Sequence, residues 1–198
     1  MHRKKHIVTA LVALATLAFA GCSDIAPATP KPKAYMRFDF PAKAYTLCDT
    51  AALPFSFEKA SNAELHMKKN TAANKWVDIV YPDLGGVMFL TYKPIAGSKA
   101  LAGQIDTAYE MLTMHFDHSS GIDEKAYTDE TNRIWATTYE LKGRNTASTF
   151  QFWATDSCRH FLRGSLYLNC TPNNDSLAPV LEYLRQDARH LLETLRWR

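Results

Sequence analysis

Three runs in the C-terminal half decide the fold: Ile134-Trp-Ala-Thr-Thr-Tyr-Glu-Leu141, Thr146-Ala-Ser-Thr-Phe-Gln-Phe-Trp-Ala154 and His160-Phe-Leu-Arg-Gly-Ser-Leu-Tyr-Leu-Asn169. β-Branched and aromatic residues dominate them, as a pleated, half-buried surface favours. Lys142-Gly143-Arg144-Asn145 joins the first two, and Gly and Asn tolerate the positive φ of a tight turn, so these runs form a hairpin. In the third, Phe161, Arg163, Ser165 and Tyr167 alternate with Leu162, Leu166 and Leu168. One face is therefore apolar and the other carries polar groups and rings. Three antiparallel strands in succession are expected.

Working outward, Trp76 to Tyr81 and Val87 to Tyr92 are again β-branched and aromatic, and Pro82-Asp83-Leu84-Gly85-Gly86 between them marks a second hairpin. Between Lys99 and His118, Leu101, Ile105, Ala108, Leu112 and Phe116 recur at helical spacing and predict a helix over one sheet face. Pro172-Asn173-Asn174-Asp175-Ser176 reads as a turn ending in capping residues, with Pro179 in the first turn of the following helix. That helix carries Leu177, Val180, Leu181, Leu184, Ala188, Leu191, Leu192 and Leu195 on one face. The expected fold is α+β: a single domain over 34–198, with an antiparallel sheet of about five or six strands covered by two amphipathic helices.

The N-terminus carries a different message. Arg3, Lys4 and Lys5 precede an apolar run from Ile7 to Ala20 that is too short to span a bilayer as a helix, and Phe19-Ala20-Gly21-Cys22 follows. Small residues directly before a cysteine form a lipobox. Residues 1–21 are read as a lipoprotein signal peptide, with Cys22 taking a diacylglycerol and becoming the acylated mature N-terminus. Each buried methylene contributes ~0.8 kcal/mol, so two or three long chains suffice for stable anchoring. Residues 22–33, with Pro27, Pro30 and Pro32, form an extended tether. Removing residues 1–21 takes away three of the 23 basic residues and no acid, leaving 20 basic against the 20 acidic ones. A neutral mature chain gives no electrostatic case for nucleic acid. Cys48, Cys158 and Cys170 remain; Cys158 and Cys170 flank one strand and lie beyond disulfide reach of each other. Either Cys48 joins one of them or all three are buried, unpaired thiols.

The densest polar cluster is Thr155-Asp156-Ser157-Cys158-Arg159-His160, with Arg163 beyond. A nucleophile, a base and a carboxylate lie near one another there, yet alternate side chains along a strand stand ~6.6 Å apart, twice hydrogen-bonding distance. The competing reading has Asp156 and Ser157 turning the chain through side-chain to backbone bonds, with Arg159 and Arg163 in ion pairs. An enzyme or ligand-binding site built from Asp156, Ser157, His160 and Arg163 requires those side chains to meet in one pocket. His115 and His118 share a helix face, but no further ligands have metal-site spacing, so no metal or cofactor is expected. Trp197 and the Tyr35/Phe38/Phe40 segment sit near chain ends, where aromatic residues either dock a partner or pack.

The chain resembles the gliding motility lipoprotein GldD family of the Bacteroidota. Pro30-Lys31-Pro32-Lys33, Tyr35, Arg37, Pro41 and Tyr45 match the family opening, followed by Pro54-Phe55-Ser56-Phe57-Glu58, Tyr81-Pro82 and Leu90-Thr91-Tyr92-Lys93. The most specific stretches are Gly143 with Asn145 to Ser148, Gln151-Phe152, Thr155-Asp156-Ser157, His160 to Tyr167, Asp175 to Pro179 and Glu193 to Trp197. It departs from the family pattern at Leu53 and Cys158, so no family disulfide carries over. The resemblance implies an accessory or scaffold lipoprotein, not an enzyme, of gliding and the associated type IX secretion machinery. Its implied partners are other lipoproteins and envelope proteins of that machinery, and its implied place is the cell envelope, on the outer rather than the inner membrane; the lack of an acidic cluster directly after Cys22 argues against export to the cell surface, so the domain is expected to face the periplasm. Interaction candidates are Asn145, Asp156, Ser157, Arg159, His160, Arg163 and Trp197. Mass spectrometry of the membrane-extracted protein is expected to find the lipid on Cys22. A bare thiol there, on a polypeptide that washes off freely, overturns the anchor.

Overall fold

In the computed structural model, residues 38–68 and 73–198 are described; Cys22, the tether and Tyr35 lie outside them. Ten strands occur among the described residues: β1 (Tyr45–Cys48), β2 (Phe55–Ala60), β3 (Glu64–Met67), β4 (Lys75–Tyr81), β5 (Gly86–Pro94), β6 (Gly121–Asp129), β7 (Ile134–Lys142), β8 (Ser148–Thr155), β9 (His160–Leu168) and β10 (Arg196–Trp197). Two helices accompany them, α1 (Gly97–Thr113) and α2 (Asn174–Thr194). The strands make two sheets, β3-β4-β5-β9-β8-β7-β6 and β1-β2-β10. Every pairing is antiparallel.

Both expected hairpins form, as β4–β5 and β7–β8, and β9 follows β8 as the third strand of the run. The expectation of a single sheet of about five or six strands is corrected. β6 carries Asp123, Glu124 and Lys125 on an exposed sheet edge, where charge blunts edge-to-edge pairing and erases apolar alternation. β1, β3 and β10 are four residues or fewer, too short to show a period. The two predicted hairpins join through β5 and β9, a pairing between segments some seventy residues apart, as in Leu90↔Gly164.

β9 is buried on both sides. Its even residues Leu162 and Leu166 enter the main core with Phe150 and Phe152 of β8, Phe55 and Phe57 of β2, and Val180, Leu184, Ala188 and Leu191 of α2. Phe161, from the odd face, packs under α1 with Ile95 and Ala108, while Leu112 of α1 covers Tyr139 and Leu141. The face of polar groups and rings is thus the one that α1 covers. Gly164 is required by contact: a Cβ there would enter the Phe152 ring on the paired strand.

The β7–β8 turn has Gly143 at φ 132°, and a Cβ there would lie 2.7 Å from the His118 carbonyl oxygen. β8 starts at Ser148 rather than Thr146, because the Thr146 hydroxyl donates to His118 O (2.8 Å) and leaves the ladder. At α2 the cap differs from expectation. Asn173 occupies the N-cap without a side-chain cap bond, since its carboxamide accepts from Arg144 Nε (3.2 Å) and donates to Ser176 Oγ (3.2 Å). Pro179 lies inside the helix, past its first turn, so no N–H reaches back to the carbonyl of Asp175.

The segment before β1 is fastened to α2. Phe40 stacks on Tyr183 at 4.7 Å, and Phe38 on Phe40 at 5.8 Å, so these two rings pack rather than stand free. Lys43 Nζ donates to Asp187 Oδ1 (2.6 Å) and to Tyr183 O (2.7 Å), and the Tyr45 hydroxyl donates to the same carboxylate oxygen (3.1 Å). Asp187 is 3% exposed. Burial pulls the Lys43 pKa down against the raising pull of Asp187, and burial together with the Asp187 charge pushes Tyr45 up to about 12. Breaking such a pair leaves a buried charge alone, at about 3–5 kcal/mol, whereas replacing both partners by apolar groups is near neutral. Asp187→Ala is therefore expected to lose most of that amount in urea unfolding, and Lys43→Met with Asp187→Leu to recover most of it. Additive losses in the double variant refute this account.

Candidate functional site

The polar cluster folds into the turn between β8 and β9. Ser157 has φ 66°, so the chain reverses at that residue. Asp156 Oδ1 accepts the backbone N–H groups of Cys158 (2.9 Å), Arg159 (2.7 Å) and His160 (2.8 Å). Thr155 Oγ1 accepts from Ser157 N–H (2.9 Å) and donates to His160 O (2.6 Å). Asp156 is 3% exposed. Burial alone would raise its pKa, but the three N–H donors outweigh it and hold the carboxyl below the usual carboxylate value. The turn-forming reading of the cluster is the one the structure shows.

The four groups of the enzyme reading do not meet. Asp156 Oδ1 faces backbone N–H groups. His160 is on the core side of β9, 5% exposed, with Tyr92 Oη 2.9 Å from Nδ1 and the Trp197 indole stacked at 5.1 Å. Burial pulls its pKa down, with the Asp156 charge opposing and Arg159 and Arg133 adding to the fall. Arg163, three residues on, lies on the α1 side and donates to Gln151 Oε1 (2.7 Å). An ion pair was expected for Arg159 and Arg163; neither makes one among the described residues. Ser157 and Arg159 are exposed at the turn, as is Cys158. Cys48, Cys158 and Cys170 are all free thiols, Cys48 buried and the others exposed.

Asn145 is exposed at the other end of β8, in the β7–β8 loop, so the interaction candidates do not form one patch. Trp197 is half-buried and edge-on to Phe55 at 6.3 Å, and its Nε1 donates to Arg133 O (3.2 Å). Arg133 belongs to the β6–β7 turn and reaches the cluster, its Nη2 donating to Cys158 Sγ at 3.6 Å. Sequence reasoning missed Arg133 and Arg196. The only sequence hint was the aromatic and basic ending Trp197-Arg198; nothing in residues 131–133 shows that they come to lie beside it. His115 Nε2 lies 3.2 Å from the Tyr167 hydroxyl, and no group of three metal-ligating side chains occurs among the described residues.

The domain is thus an α+β module whose densest polar cluster braces a turn and presents arginines around a half-buried indole. A family model for the gliding motility lipoprotein GldD matches residues 26–197, and the chain belongs to that family. Searches of the curated proteins and of the solved structures found no match. Membership gives a general role in gliding motility and the character of a lipoprotein of the cell envelope. No helix among the described residues is long and apolar enough to cross a membrane.

The depressed Asp156 pKa fixes a sign. The folded carboxyl ionises more readily than the unfolded one, so its stabilisation is complete above the unfolded value near 3.9 and is lost as pH falls through the lower folded value. Asp156→Asn removes the charge from three hydrogen bonds and is expected to cost about 1.5–3 kcal/mol at neutral pH. Urea midpoints measured from neutral to acid pH should show a shallower acid decline in the variant. An unchanged midpoint and decline refute the assignment.

Proposed function

We propose that this chain is a membrane-anchored accessory or scaffold component of gliding motility and the associated type IX secretion machinery, working through protein contacts. The observation that carries this reading is the family match over 26–197, which takes in the whole folded unit rather than one motif. The lipid on Cys22 holds the domain at a membrane, with the outer membrane and a periplasm-facing domain as the favoured arrangement. The polar chemistry supports contact rather than turnover. Asp156 and His160 shape the β8–β9 turn from inside, and Arg163 is held by Gln151, while Ser157, Arg159 and, at the far end, Asn145 are offered to solvent. Tyr109 of α1 and Met114, which caps its C-terminus, are at least half exposed, a further apolar surface on the outside of the fold.

Crosslinking in intact cells followed by purification is expected to recover motility or secretion components of the envelope. A deletion strain is expected to lose both spreading and export of secreted cargo. A strain that spreads and exports normally, with no such component crosslinked, overturns the reading.

A further inference from the structure

At the Trp197 end of the fold a recess of about 280 Å³ opens between β10 and the β6–β7 turn, lined by Thr131, Asn132, Arg133, Asp156, Arg159, Trp197 and the flanking Arg196 and Arg198. Four guanidinium groups around one recess are unusual in a domain whose mature chain is neutral overall. The carboxylates nearby have partners of their own, and the Asp129 charge reaches Arg196 only from beyond ion-pair distance. Asp49 pairs with Arg198, Asp156 Oδ1 holds three backbone N–H groups, and Asp129 holds the N–H (3.0 Å) and Nδ2 (2.6 Å) of Asn132. Among the described residues, Arg133, Arg159 and Arg196 have no carboxylate at ion-pair distance. Arg196 donates to the carbonyls of Glu193 (3.2 Å) and Leu195 (2.6 Å), and Arg133 only to the Cys158 sulfur.

Two further features converge on this recess. Among the described residues, Arg133 (φ 54°) and Ser157 (φ 66°) are the non-glycine residues with positive φ, and they sit in the two turns that present Arg133 and Arg159. Such strained positions collect where function holds them. The second feature is an open strand edge. Arg198 N–H donates to Pro54 O (3.0 Å), so residues 196 and 198 face β2, and in an antiparallel ladder the N–H and C=O of Trp197 then point the other way. No strand lies on that side of β10 among the described residues.

We propose that this recess binds an extended acidic segment of a partner protein, its main chain laid along the Trp197 edge and its carboxylates held by Arg133, Arg159 and Arg196. Arginine forks match carboxylates, and strand addition gives the main chain its bonds. The open edge favours a peptide over a lipid headgroup, which has no main chain to offer. The proposal deepens the scaffold reading and rests on it.

The test uses the full-length lipoprotein in neutral detergent and a fluorescein-labelled peptide of alternating Glu and Thr, with a Gln–Thr peptide as the uncharged counterpart. Polarisation is expected to show binding of the acidic peptide alone, weakened by added salt. Arg133→Gly and Arg159→Gln should each weaken it about tenfold, while Arg144→Gln, at the opposite end of β8, should not. Arg133→Gly suits the positive φ, so its thermal midpoint should hold or rise, which separates lost binding from lost fold. Equal binding of the two peptides, or no effect of either variant, overturns the proposal. So does arginine-dependent binding of short-chain phosphatidylglycerol without peptide binding. The scaffold reading is judged separately, by crosslinking, which registers contacts at any surface.

Discussion

One carboxylate holds the middle of this structure together. Asp156 collects the N–H groups of residues 158, 159 and 160 where the chain leaves β8 and enters β9, so the pairing of these strands starts from a fixed point, Thr155 opposite Phe161. β9 is the strand on which both sheet faces are built. It pairs with β5 on one side and β8 on the other, its even residues enter the core under α2, and its odd residues pack beneath α1. A one-residue slip would exchange Leu162 and Leu166 with Arg163 and Tyr167 and drive a guanidinium into the main core. Gly164 guards the same register from the middle of the strand, because only the glycine position accommodates the Phe152 ring.

A second polar constraint does the corresponding work at the front of the domain. Asp187 projects from the buried face of α2, a place where a leucine would satisfy the helical pattern, and receives Lys43 and Tyr45 from the segment entering β1. Hydrophobic contact alone would let that segment slide along α2. A buried charge with its partner at 2.6 Å admits one position. This fixes where the folded unit begins, and the Phe40–Tyr183 stack and the Lys43 ammonium over the Tyr183 ring close around the same point.

The elements legible in the sequence were those whose pattern is set by one neighbour. The β4–β5 and β7–β8 hairpins showed through their β-branched runs and turn residues, and α1 and α2 through their apolar stripes. What was hidden either lacks an apolar pattern or depends on partners distant in sequence. β6 is polar because it is an edge, and β10 is two residues long because β2, some 140 positions earlier, gives it a place. Tyr183 and Asp187 stand at the margin of the apolar stripe of α2, and what buries them shows only when the N-terminal segment is laid over them. At the candidate site the β8–β9 turn was readable, since Asp and Ser make such turns locally. The convergence of residues 131–133 and 196–198 on it was not, because no local pattern records which loops meet.

The polar residues of the β8–β9 turn divide by direction. Thr155, Asp156 and His160 point inward and are satisfied there or sealed by Trp197, apart from the unpartnered His160 Nε2. Arg159 follows directly on the residues that hold the turn and has no inward partner, so the rigidity that Asp156 gives the backbone passes to a guanidinium in solvent. A long flexible cation on a mobile loop loses much side-chain and backbone freedom when it binds. One mounted on a turn with three charge-assisted hydrogen bonds has already lost the backbone share of that freedom on folding. The same carboxylate that sets the strand register therefore also prepares the surface beside it, which explains how a domain with no excess of charge presents a locally basic and ordered face.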